Sequence, residues 1–266
     1  MAADGAQLFA VSGASYDHYM GRFARPLADL FGTAAGVRPG QTAIDVGCGP
    51  GTLTRVLAQR LGAGAVRACD PSPSLGQECR RRLPGVLVAS GRAEAIPFQT
   101  GSADQVLAQL VLHFVTEPRL AVAEMVRVAR PGGTMSACVW GFDHGMELLR
   151  AFWDAALSLD PEAPDEARTL RFGRAGELSE LFSTGGLTDV EESSLQVSAA
   201  YTDFDELWQS LLLGVGPAGR YCVELAEPSQ QRLRQALFDR LDRPAGPFTL
   251  GGLARCAVAR TPSGTA

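Results

Sequence analysis

The sequence predicts an α/β domain built around a mainly parallel sheet. Two observations carry this prediction: short apolar runs alternate with helical patterns between residues 42 and 140, and a glycine-rich turn follows the first apolar run. The chain has 266 residues, of which 46% are hydrophobic and 20% charged, a composition typical of a folded domain with a large core. Single α/β domains often reach this length, so we expect one domain spanning residues 1–266.

Strand and helix candidates alternate in the first half of the chain. Five apolar runs are predicted as strands: Thr42–Val46, Ala65–Cys69, Val86–Ala89, Ala103–Leu107 and Thr134–Val139. Between them, apolar residues three and four positions apart predict helices over Leu53–Leu61, Leu75–Leu83 and Leu120–Val128. Strands joined by helices in this way run parallel, so their carboxyl ends meet at one edge of the sheet.

Beyond Gly141 the pattern changes to longer helices. The helix candidates are Met146–Leu157, Ala175–Thr184, Phe204–Leu213 and Ser229–Leu241, and the strand candidates are Val190–Val197 and Leu253–Val258. Two stretches rich in proline or acidic residues, 160–166 and 243–247, are predicted to be surface loops, because patterned sequence resumes directly after each.

Charge and residue usage exclude several classes of function. All 24 basic residues are arginines, so a Schiff-base lysine is impossible. The net charge of −5 disfavours a nucleic-acid partner, and no set of carboxylate and amide ligands indicates a metal site. The six cysteines include no CxxC pair, which favours reduced thiols. Since no apolar run is long enough for a signal peptide or a membrane span, we expect no membrane contact and a cytoplasmic location.

The most informative segment is the turn after the first strand, where Gly47, Gly49 and Gly51 alternate before a helix. Glycine allows positive φ and lets a ligand lie against the backbone, and the amides that open the helix can receive an anionic group. Asp70 ends the second strand, where an acidic side chain can accept hydrogen bonds from ribose hydroxyls. These features predict a nucleoside-cofactor site, although a dinucleotide site would have glycine in place of Thr52.

Five motifs in order make the sequence resemble class I S-adenosylmethionine-dependent methyltransferases, particularly the small-molecule branch related to the enzymes of ubiquinone and menaquinone biosynthesis. The motifs are Asp45–Thr52, Cys69–Ser72 with Leu75, Gly91–Phe98, Ala103–Val106 with Leu112 and His113, and Arg130–Gly133. The resemblance covers about residues 15–140, which would form the cofactor-binding core. It implies a Rossmann-like seven-stranded, mostly parallel sheet with helices on both faces, whose last strand is antiparallel. Helical lid insertions over residues 141–175 and 203–247 would form the acceptor site.

The resemblance also assigns roles to individual residues. Gly47, Cys48 and Gly49 would present backbone to the methionine part of S-adenosylmethionine, whose ammonium Asp45 would help to place, and Asp70 would hold the ribose. The remaining contacts to this cofactor and to its product S-adenosylhomocysteine would come from Pro71, Leu75, Ala93, Glu94, Gln109 and Leu110. Arg92 stands where the family has an aspartate, and Glu94 is the alternative partner for the adenine amino group.

The segment Tyr16–Phe23 resembles an amino-terminal segment that folds over the cofactor in some family members. It makes Tyr16 and Arg22 candidates for closing the site, because an arginine can pair bidentately with the carboxylate of the cofactor. The alternative is a surface helix whose tyrosine packs on the sheet.

The function that the resemblance implies is methyl transfer by direct displacement to a small-molecule acceptor, apolar or aromatic, at oxygen, carbon or nitrogen. Such a reaction needs alignment, a desolvated pocket and sometimes a base. His113 is the first candidate for that base, and a histidine that packs a helix is its alternative; His18 and His144 are further candidates. Nine aromatic residues could line an acceptor pocket or the core: Trp140, Phe142, Phe152, Trp153, Phe172, Tyr201, Phe204, Trp208 and Tyr221.

Rival functions stay open on the sequence alone. The same fold could catalyse a cyclisation or a rearrangement, or serve as a binding subunit without turnover. A nicotinamide-dependent oxidoreductase is disfavoured by Thr52 and by the absence of any lysine for a Tyr-x-x-x-Lys motif. For assembly, a monomer and a homodimer both fit the sequence.

Overall fold

Within residues 12–142 and 145–263, which the computed structural model describes, seven strands pair into one sheet: β1 (Ala43–Val46), β2 (Val66–Asp70), β3 (Leu87–Ser90), β4 (Ala103–Gln109), β5 (Ala129–Trp140), β6 (Thr188–Tyr201) and β7 (Phe248–Arg260). Their order is β3-β2-β1-β4-β5-β7-β6. β7 pairs antiparallel with both β5 and β6, and the other pairs in the sheet are parallel. The predicted Rossmann-like sheet with an antiparallel last strand is confirmed.

Helices surround the sheet: α1 (Gly13–Tyr19), α2 (Gly21–Ala34), α3 (Thr52–Leu61), α4 (Pro73–Arg82), α5 (Pro118–Val128), α6 (Glu147–Leu159), α7 (Glu166–Thr169), α8 (Glu177–Thr184), α9 (Phe204–Leu211), α10 (Gly216–Glu224) and α11 (Glu227–Arg240). Short 3₁₀ turns cover Ala63–Ala65 and Leu112–Phe114. In the described part of the chain, none of these helices has the length and apolar character that crossing a bilayer requires.

Two hydrophobic cores lie on opposite faces of the sheet, because successive side chains of a strand point to opposite faces. In β4, Leu107 joins the core under α2 and α3, whereas Val106 joins the core under α5 and α8. Phe31 of α2 and Met125 of α5 are both fully buried in their respective cores. A parallel sheet covered on both faces leaves its strand ends as the natural place for a site.

Some elements differ from the sequence prediction. α2 was not predicted as a helix because Pro26 lies inside it and removes a backbone donor, a pattern that usually ends a helix. α10 escaped prediction because glycine and proline open it. The stretch 160–166 was predicted to be a surface loop, and this is wrong for Ala163, Asp165 and Glu166, which are buried. Burial there depends on contacts with α6 that the local sequence does not encode.

The strand order reverses between β1 and β4, and a crevice opens at their carboxyl ends. α1 lies over this edge of the sheet. Its Asp17 forms an ion pair with Arg82 at the end of α4, with a nitrogen-to-oxygen distance of 2.8 Å. The amino-terminal helix is thereby tied to α4, the helix that follows β2.

Candidate active site

A first cavity lies at the carboxyl ends of β1, β2 and β4 and holds about 940 Å³, counting its open mouth. The structure brings together in its wall all the residues predicted to contact the cofactor except Arg22: Tyr16, Asp45, Gly47, Cys48, Gly49, Asp70, Pro71, Leu75, Ala93, Glu94, Gln109 and Leu110. Residues to which the sequence analysis gave no cofactor contact complete the wall: Pro50, Thr52, Leu53, Ser72, Val111, Phe114 and Val115. Arg92 also lines it. Motifs far apart in the chain therefore meet at one edge of the sheet.

The glycine turn forms the floor of the first cavity. Gly47 and Gly49 have φ of +73° and +53°, a region that disfavours side chains. A Cβ on Gly47 would lie 2.4 Å from a methyl carbon of Val111, so only glycine fits there. A Cβ on Gly49 would meet no atom within 4 Å, so the space beside this residue is open. The turn is thus a bare stretch of backbone against which a ligand can lie.

Asp70 ties the end of β2 to this turn. Its two carboxylate oxygens accept hydrogen bonds from the amides of Gly49 and Ser72, each at 2.8 Å. Burial raises the pKa of Asp70, and the two amide bonds oppose this rise. A carboxylate oxygen has two lone pairs, so each oxygen can still accept a bond from a ribose hydroxyl.

Asp45 lies deeper in the same wall, at the end of β1. One oxygen accepts a 2.6 Å bond from the hydroxyl of Thr54, and the other is buried with no partner among the described residues. Burial raises the pKa of Asp45 to about 7. A cationic group beside the unpartnered oxygen would satisfy it and lower this pKa. The site therefore fits the ammonium of S-adenosylmethionine.

A second cavity of about 400 Å³ lies next to the first. Aromatic rings supply much of its wall: Tyr16, Tyr19, His113, Phe114, Trp140 and Phe142. The other lining residues come mainly from elements beyond β5: Met20, Leu110, Leu149, Glu166, Gly216, Pro217 and Ala218. Tyr16, Leu110 and Phe114 belong to both walls. The two cavities are therefore neighbours that share these three lining residues.

His113 lines the second cavity and not the first. It is buried, with its ring centroid 4.1 Å from that of Phe114 and 5.2 Å from that of Phe142. Its Nδ1 atom has no partner among the described residues, and burial lowers its pKa to about 3. His113 is therefore neutral at physiological pH. Of the other candidates, His18 is exposed and His144 lies outside the described residues.

Glu166 is a site residue that the sequence analysis missed. It opens α7, is 3% exposed and lines the second cavity. One oxygen of its carboxyl group accepts a 2.8 Å bond from the indole nitrogen of Trp153. Burial raises the pKa of Glu166 to about 7. The one available signal was Trp153 itself, because a buried indole N–H usually finds an acceptor.

Arg22, also predicted to contact the cofactor, does not line the first cavity. Its guanidinium forms an ion pair with Glu206, donates a 2.9 Å bond to the carbonyl of Ala200 and lies 4.9 Å from the ring centroid of Tyr201. Its Nε donates to the carbonyl of His18. Arg22 thus joins α2 to the end of β6 and to α9, and these contacts engage each of its three side-chain nitrogens.

The nine aromatic candidates divide between cavity and core. Trp140 and Phe142 line the second cavity. Five others belong to the buried core: Phe152, Trp153, Tyr201, Phe204 and Trp208. Tyr221 and Phe172 are partly buried against the cores. For the residues that the structure describes, no group of three or more His, Cys, Asp or Glu side chains is placed to hold a metal ion.

Comparisons with known proteins agree with this geometry. A family model described as a methyltransferase domain matches residues 44–137. A demethylmenaquinone methyltransferase from Renibacterium salmoninarum is 40% identical over 103 residues, which cover 38% of this chain and 42% of that protein. A trans-aconitate 2-methyltransferase from Methylobacterium nodulans is 33% identical over 128 residues, covering 46% of this chain and 47% of that one. The chain thus spans less than half of either relative.

Among solved structures, phosphoethanolamine N-methyltransferase 2 from Haemonchus contortus, in complex with S-adenosylhomocysteine, shares the fold. Its TM-score is 0.58 at 17% identity, with 94% of this chain and 57% of that chain covered. The sheet order, the glycine turn joined to Asp70 and the matched domain all fit a methyltransferase fold. Residues 44–137 thus match a methyltransferase domain, and the fold around them is shared with solved methyltransferase structures.

Proposed function

We propose that this protein transfers a methyl group from S-adenosylmethionine, held in the first cavity, to a small, mostly apolar acceptor in the second. The observation that carries the proposal is that the two cavities adjoin, since Tyr16, Leu110 and Phe114 line both. Methyl transfer by direct displacement requires two ligands to meet end to end with water excluded. Two adjoining cavities, one polar at its base and the other largely apolar, supply that arrangement.

The first cavity offers partners for the ammonium, the ribose and the adenine of the cofactor. Asp45 would take the ammonium, Asp70 the ribose hydroxyls and Glu94 the adenine edge, while Leu75 would cover the adenine. S-adenosylmethionine supplies a methyl group already activated by its positive sulfur. The chain's own contribution is then to bind, to orient and to exclude water, and the open backbone at Gly49 lets the ligand approach closely.

The second cavity suits an acceptor with a flat, apolar body. Both helical insertions contribute to its wall: Leu149 and Glu166 lie in residues 141–175, and Pro217 and Ala218 lie in residues 203–247. This supports the division into a cofactor-binding core and two insertions that enclose the acceptor.

Calorimetric titration tests the cofactor assignment. We expect S-adenosylmethionine and S-adenosylhomocysteine to bind with micromolar affinity and NAD to show no binding. Mass analysis of an acceptor screen then tests the reaction, since methyl transfer adds one methyl group to the product and a cyclisation leaves the mass unchanged. Folded protein that binds neither sulfur compound would overturn the proposal.

A further inference from the structure

We propose that Glu166 receives the proton of the acceptor during methyl transfer and that the acceptor is an uncharged aromatic compound carrying a hydroxyl group. This inference rests on the proposed function, because it takes the second cavity as the acceptor site. It assigns a role to Glu166, which lies outside the matched domain of residues 44–137, and it narrows the class of acceptor.

The position of Glu166 is fixed by its surroundings. Trp153, which is 1% exposed within α6, donates its indole N–H to one carboxylate oxygen of Glu166. A carboxylate accepts hydrogen bonds at both oxygens, and the bond from Trp153 uses one position on one of them. The carboxyl group is therefore held at the wall of the second cavity with acceptor capacity to spare.

The charges around the second cavity exclude an anionic acceptor. Among the described residues no arginine lines it, and His113 is neutral. Arg150 of α6 forms ion pairs with Asp154 and with Asp165, the neighbour of Glu166 in the chain. An acceptor carboxylate or phosphate would thus face Glu166 with no arginine of the described wall to balance it, which is costly in a buried site.

Of the described residues in the wall, His113 and Glu166 could receive a proton, and Glu166 is the better matched. A proton acceptor works best when its pKa lies near the working pH. Burial lowers the pKa of His113 to about 3, so this ring is a poor base. Burial raises the pKa of Glu166 to about 7. The titratable groups that interact with Glu166, Tyr19 and Asp165, carry no positive charge, so they do not lower the pKa of Glu166.

The chemistry of the step favours a hydroxyl group on an aromatic ring. A neutral hydroxyl is a poor nucleophile until its proton leaves, so it needs a fixed acceptor. The O–H bond breaks as its proton passes to Glu166, the oxygen forms a bond to the methyl carbon, and the electron pair of the broken carbon–sulfur bond stays on sulfur. The six rings of the wall favour a flat, unsaturated body by stacking and edge contacts.

A pair of probes with the same ring system tests the inference. The protein, saturated with S-adenosylhomocysteine, is titrated calorimetrically at about pH 8, where Glu166 is mostly ionised, with 2-naphthol and separately with 2-naphthoate. We expect 2-naphthol to bind at least about tenfold more tightly, because the carboxylate probe meets an unbalanced like charge. Equal or tighter binding of 2-naphthoate, or no binding of either probe, would overturn the inference.

Two variants test whether the charge of Glu166 causes the preference for 2-naphthol. Glu166→Gln keeps an acceptor for Trp153 but removes the charge, and it should lower the preference for 2-naphthol over 2-naphthoate by about tenfold. The matched control Glu162→Gln removes an exposed carboxylate from the same stretch and should leave the preference unchanged. A preference that Glu166→Gln leaves intact would also overturn the inference. If this variant does not fold, the wild-type preference decides alone.

The same titrations separate this inference from the function on which it rests. Failure of the wild-type protein to bind S-adenosylhomocysteine would count against the proposed function. Normal binding of that compound, with no preference for 2-naphthol, would count against the role of Glu166 alone and leave the methyltransferase proposal standing.

Discussion

The carboxylate of Asp70 accepts a 2.8 Å hydrogen bond from the amide of Gly49 and so joins the end of β2 to the turn after β1. The residue expected to hold the ribose therefore also fixes the backbone on which the methionine part would lie. Asp70→Ala should weaken binding of S-adenosylmethionine by roughly 1–3 kcal/mol, since it removes a ligand contact and a support of the turn. Calorimetry checks this, with Glu191→Ala on the exposed face of β6 as the control. Normal binding by Asp70→Ala would remove Asp70 from the ribose site.

The affinity for S-adenosylmethionine should rise with pH through neutrality. Burial raises the pKa of Asp45 to about 7, and a cationic ligand group beside it requires the ionised form. Ionising Asp45 costs free energy below pH 7 and little above it, so the affinity should increase by about tenfold between about pH 6 and pH 8. Asp45→Asn keeps a partner for Thr54 and should bind weakly with a flat profile. A wild-type profile as flat as that of the variant would contradict the placement of the ammonium.

Two glycines of the turn should respond differently to alanine. Gly49→Ala puts a methyl group into the open first cavity, so it should lower cofactor affinity while costing about 1–2 kcal/mol of stability for its positive φ. Gly47→Ala adds a 2.4 Å contact with Val111 to a similar backbone cost, so it should lower the melting temperature further. Thermal unfolding and calorimetry of both variants measure the two effects. Equal losses of stability would show that Val111 moves aside freely.

Replacing Arg22 should affect stability and leave cofactor binding nearly unchanged. Arg22→Met keeps the aliphatic stem but leaves the carbonyl of Ala200 and the carboxylate of Glu206 without this donor. The loss should be about 1–3 kcal/mol in the free energy of unfolding. Affinity for S-adenosylmethionine should change by less than about twofold, because the side chain lies outside the first cavity. A large loss of affinity at unchanged stability would restore Arg22 to the cofactor site.

The stability of the ligand-free protein should reveal the titration of Glu166. Its pKa is raised to about 7 from an ordinary 4.5, so folding favours the protonated form. The stability that this preference adds is complete below about pH 4.5 and is lost as the pH rises to about 7. Asp45 acts in the same direction, whereas neutral, buried His113 lowers stability as the pH falls below its unfolded value of about 6.5.

The difference in stability between the wild type and Glu166→Gln separates the contribution of Glu166 from those of Asp45 and His113. Urea unfolding across that range should show the wild type losing stability relative to the variant, by on the order of 3 kcal/mol at most, with a constant difference above about pH 7. Glu162→Gln should track the wild type throughout. Parallel curves for the wild type and Glu166→Gln would mean that Glu166 has an ordinary pKa in the folded protein.

The first half of the fold could be predicted because its signals are local. Alternation along strands and helical spacing between them appear within a few residues, and the predicted strands β1 to β4 agree with the structure to within two residues at each end. The first cavity followed because its residues belong to short motifs at the ends of parallel strands. The positive φ of Gly47 and Gly49 and the position of Asp70 were implied by residue type and spacing alone.

The features that could not be predicted depend on contacts between distant parts of the chain. Arg22 finds its partner at Ala200, 178 residues away, so no local pattern could separate this role from a cofactor contact. Glu166 ends an acidic, proline-containing stretch that resembles an exposed loop. Its burial follows from Trp153 on the preceding helix, which supplies the donor that a buried carboxyl group requires. The second cavity was beyond prediction for the same reason, since several separate elements build it.

Three residues that line both cavities, Tyr16, Leu110 and Phe114, limit how such an enzyme can change during evolution. A substitution at any of them alters the shape of two binding sites at once, so any gain with a new acceptor is offset by altered affinity for the cofactor. Trp140, Leu149 and Ala218 line the second cavity alone. Substrate range can drift at these positions without that penalty, and a library confined to them is the most economical route to variants with new acceptors.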